Sequence, residues 1–267
     1  MNSRRAVVRM QAGSKQGSKH IRLGLNNQDA RLAERFSVPA FDKDFRVGIV
    51  SDGCTGFPTF SRTEVGSNLL VLYAYRRIQE MVCSGMSVHE VAKALFPGIT
   101  EFLWDLANKI MPPNIVWPYP VTLKKREGWT SQTRFQIDYL AATMIGFLDD
   151  GEDVIVFSSG DGIILVNDDI VVIDQNDQPQ YPVISVNQAT KGFDIKFYKT
   201  SNVRRLAVMT DGLKELVKSL SFVDSLFTHL PDQTLGLQFL LNTTFENSQD
   251  VMSDDCTVVT WEKQQTS

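Results

Sequence analysis

The chain of 267 residues is 43% hydrophobic and 22% charged, with a formal net charge of −4; this is ordinary globular composition, long enough for one large domain or two small ones. That charge excludes bulk attraction to nucleic acid or anionic membranes, and no apolar stretch approaches the ~20 residues of a membrane span. The basic start leads into polar residues, so no leader segment is read, and three scattered cysteines (Cys54, Cys83, Cys256) suggest neither a disulfide framework nor a zinc knuckle; a cytoplasmic location is expected.

In chain order, Arg4, Arg5, Arg9, Lys15, Lys19 and Arg22 precede the first acid, Asp29, and read as a solvated basic arm. Residues 45–51 (FRVGIVS) form a plausible strand, and residues 63–83 are long and apolar enough for a helix packed into a core. Ser87-Val88-His89-Glu90 has capping-box spacing, so a second helix starts there, with His89 in its first turn as a structural residue. Pro97-Gly98 is expected to end it near Phe96. From 99 to 134 four prolines (Pro112, Pro113, Pro118, Pro120) and three of the four tryptophans predict an irregular insertion or flap.

Residues 139–148, 153–158, 162–166 and 170–173 are apolar runs separated by DDGED, SGDG and NDD. That pattern predicts an antiparallel meander, with Ser159-Gly160-Asp161-Gly162 as a hairpin turn. Strands follow near 195–198 and at 205–209, then helices over 213–230 and 235–245, then a last strand at 257–261. Strands in blocks and helices in blocks predict an α+β sandwich rather than an alternating parallel sheet. No repeat or linker divides the chain, so residues 1–267 are expected to form a single domain.

Several acids share one kind of position. Asp52 (IVSDG) and Asp211 (VMTDG) stand just past apolar strands, each followed by glycine. Asp161 lies in the SGDG turn, Asp254 and Asp255 open the last strand, and Asp29 closes Asn26-Asn27-Gln28-Asp29. Taken singly, each is an ordinary turn residue. Together they weigh more, because several strand ends of a sandwich can converge on one edge. Carboxylates gathered there repel and raise one another's pKa; a hard divalent cation bound by oxygen ligands removes that penalty. Glycine after Asp52 leaves its carbonyl open to close approach. No cysteine is followed by arginine at phosphatase-loop spacing, no Gly-x-x-x-x-Gly-Lys-Ser/Thr occurs, and only three histidines are present.

The ordered set Gly17-Ser18-Lys19-His20, Asn27-Gln28-Asp29-Ala30, Val50-Ser51-Asp52-Gly53, Tyr139-Leu140-Ala141-Ala142-Thr143, Ser159-Gly160-Asp161-Gly162, Met209-Thr210-Asp211-Gly212 and Asp254-Asp255-Cys256-Thr257 resembles the PPM-type, metal-dependent (type 2C) serine/threonine protein phosphatases, particularly their compact bacterial branch. The resemblance implies an α-β-β-α four-layer sandwich with two Mn²⁺ or Mg²⁺ ions at one edge. In that family's terms Asp52 bridges both ions and the Gly53 carbonyl binds one. Asp211 and Asp254 complete the other, and Gln28 and Asp29 hold metal-bound waters. Asp161 with Asp211 takes a third, weaker ion. Asp52 and Asp211 are thereby the expected catalytic residues, and the implied reaction is attack on a phosphoserine or phosphothreonine of a protein by hydroxide made at the metal pair, opposing a kinase.

Three positions depart from the pattern. Gly24 stands where relatives often carry a phosphate-gripping arginine, leaving His20, Arg22 or Lys19 as substitutes. Cys54 stands where many eukaryotic members have a histidine, and reads as a small filler. Asp255 replaces the usual asparagine, with strand register favouring Asp254 as the ligand. Gly24 motivates a rival reading, a catalytically silent binding module on the same fold; a hydrolase of small phosphate esters is another.

Overall fold

The computed structural model describes residues 7–54, 62–112, 130–175, 180–183, 192–228 and 236–264. Ten strands are present: β1 (Val8–Lys15), β2 (Ala30–Val38), β3 (Lys43–Ser51), β4 (Met144–Asp149), β5 (Asp153–Ser159), β6 (Gly162–Val166), β7 (Asp169–Ile173), β8 (Asp194–Lys199), β9 (Arg205–Met209) and β10 (Cys256–Lys263). They make two five-stranded antiparallel sheets, ordered β1-β10-β9-β6-β7 and β2-β3-β4-β5-β8. Val50, Phe147, Val156, Ile164, Val208 and Trp261 fill the space between the sheets. The helices α1 (Ser18–Leu23), α2 (Glu64–Cys83), α3 (Val88–Ile110), α4 (Ser131–Phe135), α5 (Leu220–Ser225) and α6 (Gly236–Asn247) complete the described elements. Leu70, Ala74, Ile78, Leu95 and Leu103 of α2 and α3 form one core with the second sheet, and α5 and α6 form another with the first. The predicted α+β sandwich flanked by helices is the observed architecture.

Several expectations need correction. Arg9 and Lys15 belong to β1 rather than to a solvated arm, and β2 precedes the first predicted strand; Arg4 and Arg5 lie outside the described residues. Both new strands sit at sheet edges, where charged side chains face water. The helix capped by Ser87 does not end at Pro97 but runs to Ile110. Pro97 is exposed, so the hydrogen bond it removes lies on the solvent side. The roughly 3 kcal/mol it costs is outweighed by burial of Ile99, Leu103 and Ala107 beyond it, each large side chain contributing ~1.5–3 kcal/mol. The expected insertion over 99–134 is therefore helical at both described ends, while 113–129 lie outside the described residues.

The run 139–148 splits: Gln136–Leu140 is a π-helical turn, and the strand begins only at Met144. The long helix expected over 213–230 is replaced by two 3₁₀ turns, Asp211–Leu213 and Leu216–Lys218, and then α5. Ser219 is extended, and its hydroxyl lies 2.8 Å from that of Ser221, the local serine bonding that competes with helix. The ends at Leu230 and Leu235 lie outside the described residues.

The SGDG turn is not a hairpin. β5 and β6 belong to opposite sheets, so 159–162 carries the chain from one layer to the other. Gly160 and Gly162 take φ of 95° and 145°, and Cβ atoms there would lie 2.6 Å from Thr143 Cγ2 and 2.4 Å from Ile145 Cδ1. Only glycine fits both the backbone and the space. The supposed meander is therefore two hairpins, β4–β5 and β6–β7, in different sheets.

At the far end of β3 from Asp52, fully buried Asp149 accepts hydrogen bonds from Trp261 Nε1 (2.9 Å), Arg46 Nη1 (3.0 Å), Thr200 Oγ1 (3.0 Å) and Gly151 N (2.8 Å). Removing the carboxylate leaves the Arg46 charge buried without its partner. Asp149→Ala is expected to lower unfolding stability by about 3–5 kcal/mol, measured by the urea midpoint with an unchanged slope.

Candidate metal centre

Strand pairing continues past the end of β3 and fixes the backbone around Asp52. Ser51 Oγ donates to the Thr143 carbonyl (2.6 Å), Asp52 N to Thr143 Oγ1 (3.1 Å) and Thr143 N to the Asp52 carbonyl (2.8 Å). Gly53 then bridges to Ala142, and Cys54 N donates to the Ala141 carbonyl at 3.0 Å. Asp29 immediately precedes β2, whose first residue, Ala30, lies opposite Ser51. Asp211 follows β9, and Asp254 precedes β10. Two acids thus come from each sheet. Thr210 joins the layers: its Oγ1 donates to Asp29 Oδ2 at 2.8 Å and accepts from Thr257 N at 2.9 Å.

The acids repel as like charges in a low-dielectric setting should. Burial first, then the Asp255 charge, pushes the Asp29 carboxyl from 3.8 up to about 8, against the opposing hydrogen bonds of Thr210 and Thr257. Burial, then Asp29, Asp211 and Asp254, raises Asp52 well above the carboxylate range. Burial and Asp254 raise Asp211. Asp29 Oδ1 is buried and receives no aligned hydrogen bond, and the Asp29 carboxyl as a whole interacts with that of Asp52. Among the described residues no three acid, histidine or cysteine side chains close into a finished coordination cluster. The acids instead stand within one another's electrostatic reach. An all-oxygen set with an unsatisfied carboxylate oxygen fits a hard divalent cation.

The other candidates fall differently. Asp161 sits partly exposed at the corner between the sheets. Gln28 is buried; its N–H donates to Asp255 Oδ2 (2.6 Å), and its carbonyl accepts from Ser67 Oγ (2.5 Å). His20 requires a correction: it is 1% exposed, with Nδ1 2.8 Å from Asp255 Oδ2, so the ring is turned inward and is not placed to grip a phosphate. Arg22 and Lys19 are exposed on α1. Gly24 caps α1 at φ 65°, a left-handed conformation that explains why glycine rather than arginine stands there. Cys54 keeps a reduced thiol; it hydrogen-bonds the hydroxyl of Tyr181, whose pKa is raised by burial first and then by Cys54, Asp52 and Asp161. Tyr181 gave no signal in sequence, since a lone tyrosine in a polar stretch resembles any other. Asp255 is buried while Asp254 is partly exposed beside Asp52 and Asp211, a separation that register alone only suggested.

Two antiparallel sheets lie between helices, and carboxylates from both meet at one edge. The chain belongs to the protein phosphatase 2C family, whose model matches residues 16–246. It is accordingly a metal-dependent phosphoprotein phosphatase of the serine/threonine type. The chain is similar in fold to a bacterial serine phosphatase (12% identity, TM-score 0.60, covering 98% of this chain and 100% of that one). It is similar to the serine/threonine phosphatase Stp1 from Staphylococcus aureus (13%, 0.61, 97% and 96%). A third likeness is to the catalytic domain of the serine/threonine protein phosphatase PstP in complex with two manganese ions (15%, 0.59, 97% and 99%). No curated protein matches the chain at a significant level.

A carboxyl whose folded pKa is raised stabilises the fold below its unfolded pKa, and that contribution is lost as pH climbs through the folded value. For Asp29 the window runs from 3.8 to about 8. In chelator, the melting temperature is expected to fall between pH 5 and pH 8, with a shallower slope in Asp29→Asn. Added Mn²⁺ is expected to raise it more at pH 8 than at pH 5, because binding needs the deprotonated acids.

Proposed function

We propose that the chain removes phosphate from phosphoserine and phosphothreonine on proteins at this acidic edge, using two Mn²⁺ or Mg²⁺ ions. The observation that carries the reading is the convergence of four carboxyls, Asp29, Asp52, Asp211 and Asp254, the first three raised by burial and neighbouring acids, with Asp29 Oδ1 buried without an aligned hydrogen bond. In this assignment Asp52, the Gly53 carbonyl, Asp211 and Asp254 would hold the ions directly. Gln28 and Asp29 would act through water, and Asp161 with Asp211 would offer a weaker third position. A bound pair supplies Lewis acidity toward the phosphate ester and makes water easier to deprotonate.

The chain's own residues do the positioning. Thr143 fixes the backbone of Asp52, and Thr210 orients Asp29. The small residues Ala141 and Ala142 pair beside Cys54 and Gly53. Arg22, exposed in the last turn of α1, is assigned to the phosphate in place of His20. Residues 1–267 act as one catalytic domain, opposite a serine/threonine kinase and in the cytoplasm. None of the described helices is long and apolar enough to cross a membrane. No observation favours the silent module or the small-ester hydrolase.

With a phosphothreonine peptide and Mn²⁺, the wild-type chain is expected to release phosphate and to stop on chelation. Asp52→Asn is expected to lower kcat by about 100-fold or more, the scale of losing one key electrostatic group. Arg22→Ala is expected to raise KM with little change in kcat. Equal turnover by wild type and Asp52→Asn would remove the metal assignment; parallel Mg²⁺ and Mn²⁺ titrations decide the ion.

A further inference from the structure

Asp255 is a buried carboxylate with no direct place in the proposed centre, yet three residues from two segments converge on it. Its Oδ1 accepts the Gly17 N–H at 2.8 Å, and its Oδ2 accepts the Gln28 N–H at 2.6 Å. The ring of His20 packs against the same group, Nδ1 2.8 Å from Asp255 Oδ2 and Nε2 3.5 Å from Asp254 Oδ1. Around this hub the start of α1 is laced to the loop before β10: Ser18 N donates to the Met252 carbonyl (3.1 Å) and Lys19 N to the Ser253 carbonyl (2.9 Å). The approach is so close that a Cβ on Gly17 would lie 2.3 Å from the Asp254 carbonyl carbon. Asp254 itself is fixed from below, its Oδ1 accepting the Asp255 N–H at 3.0 Å.

We infer that His20 and Asp255 are a positioning pair, joining the 254–255 loop to the Gln28–Asp29 segment so that Asp254 and Asp29 reach the centre together. The inference rests on the reading of Asp254 as a ligand. Neither residue binds the ion. Asp255 holds the Gln28 backbone, one residue from Asp29, and the chain beside Asp254. His20 fills the space between the two carboxylates and meets both. Partners that orient ligands in this way are worth about 10–100-fold in metal affinity.

The test is calorimetric titration of Mn²⁺ into chelator-stripped wild type, His20→Gln, Asp255→Asn and Gly17→Ala, with circular dichroism and melting in chelator to confirm each fold. Folded variants are expected to bind Mn²⁺ about 10–100-fold more weakly, and phosphatase activity lost at low Mn²⁺ is expected to return as Mn²⁺ is raised. Each variant that folds decides by itself. Mn²⁺ affinity within about twofold of wild type in folded His20→Gln or Asp255→Asn, well short of the loss expected for an orienting partner, overturns the inference while leaving the metal centre standing. A loss in Asp255→Asn as complete as in Asp254→Asn also overturns it, by making Asp255 a ligand. A wild-type chain that binds no Mn²⁺ brings down the metal-centre reading, and this inference with it.

Discussion

Everything at the acidic edge follows from bringing like charges together. Asp29, Asp52, Asp211 and Asp254 are carried there by strands of both sheets, and burial beside other acids pushes Asp29, Asp52 and Asp211 toward their protonated forms. Two unit charges about 4 Å apart repel by about 4 kcal/mol at an effective dielectric of 20. A marginally stable fold tolerates few such contacts, so protons or a cation must occupy the edge.

The opposite end of the sandwich shows what a chain does when a buried acid is purely structural. Asp149 faces Arg46, Trp261 and Thr200, and each of these contacts is a donor. Asp255 also collects donors, two backbone N–H groups and a histidine, although its charge acts on Asp29 as well. Asp29 and Asp52 break the pattern, because the neighbours they meet include other acids. One chain therefore contains both solutions, and the difference between them separates scaffold from chemistry.

The fold class was legible because the core strands, such as 45–51, 162–166 and 205–209, are largely apolar and bounded by Asp and Gly. The edge strands β1 and β2 were not, since Arg9, Lys15, Arg31 and Arg35 hide their period in charge. Pro97 misled because local propensity carries no knowledge of the buried face beyond it. The SGDG corner misled because a glycine-rich turn looks the same whether the strands it joins pair or part. At the site, the acids were visible as residues past strand ends. What no spacing reveals is which of two adjacent aspartates is buried, that His20 points inward, or that Tyr181 arrives from a distant loop.

The strand latest in sequence is an interior one. β10 lies between β1 and β9, pairing with β1 from Val8↔Lys263 to Lys15↔Cys256. β1 pairs with no other described strand, and Asp255 reaches across 227 residues to Gln28. Contacts of such long range are closed late and slowly in folding. Edge strand β1 therefore gains its described strand partner only once β10, more than two hundred residues later, has been made.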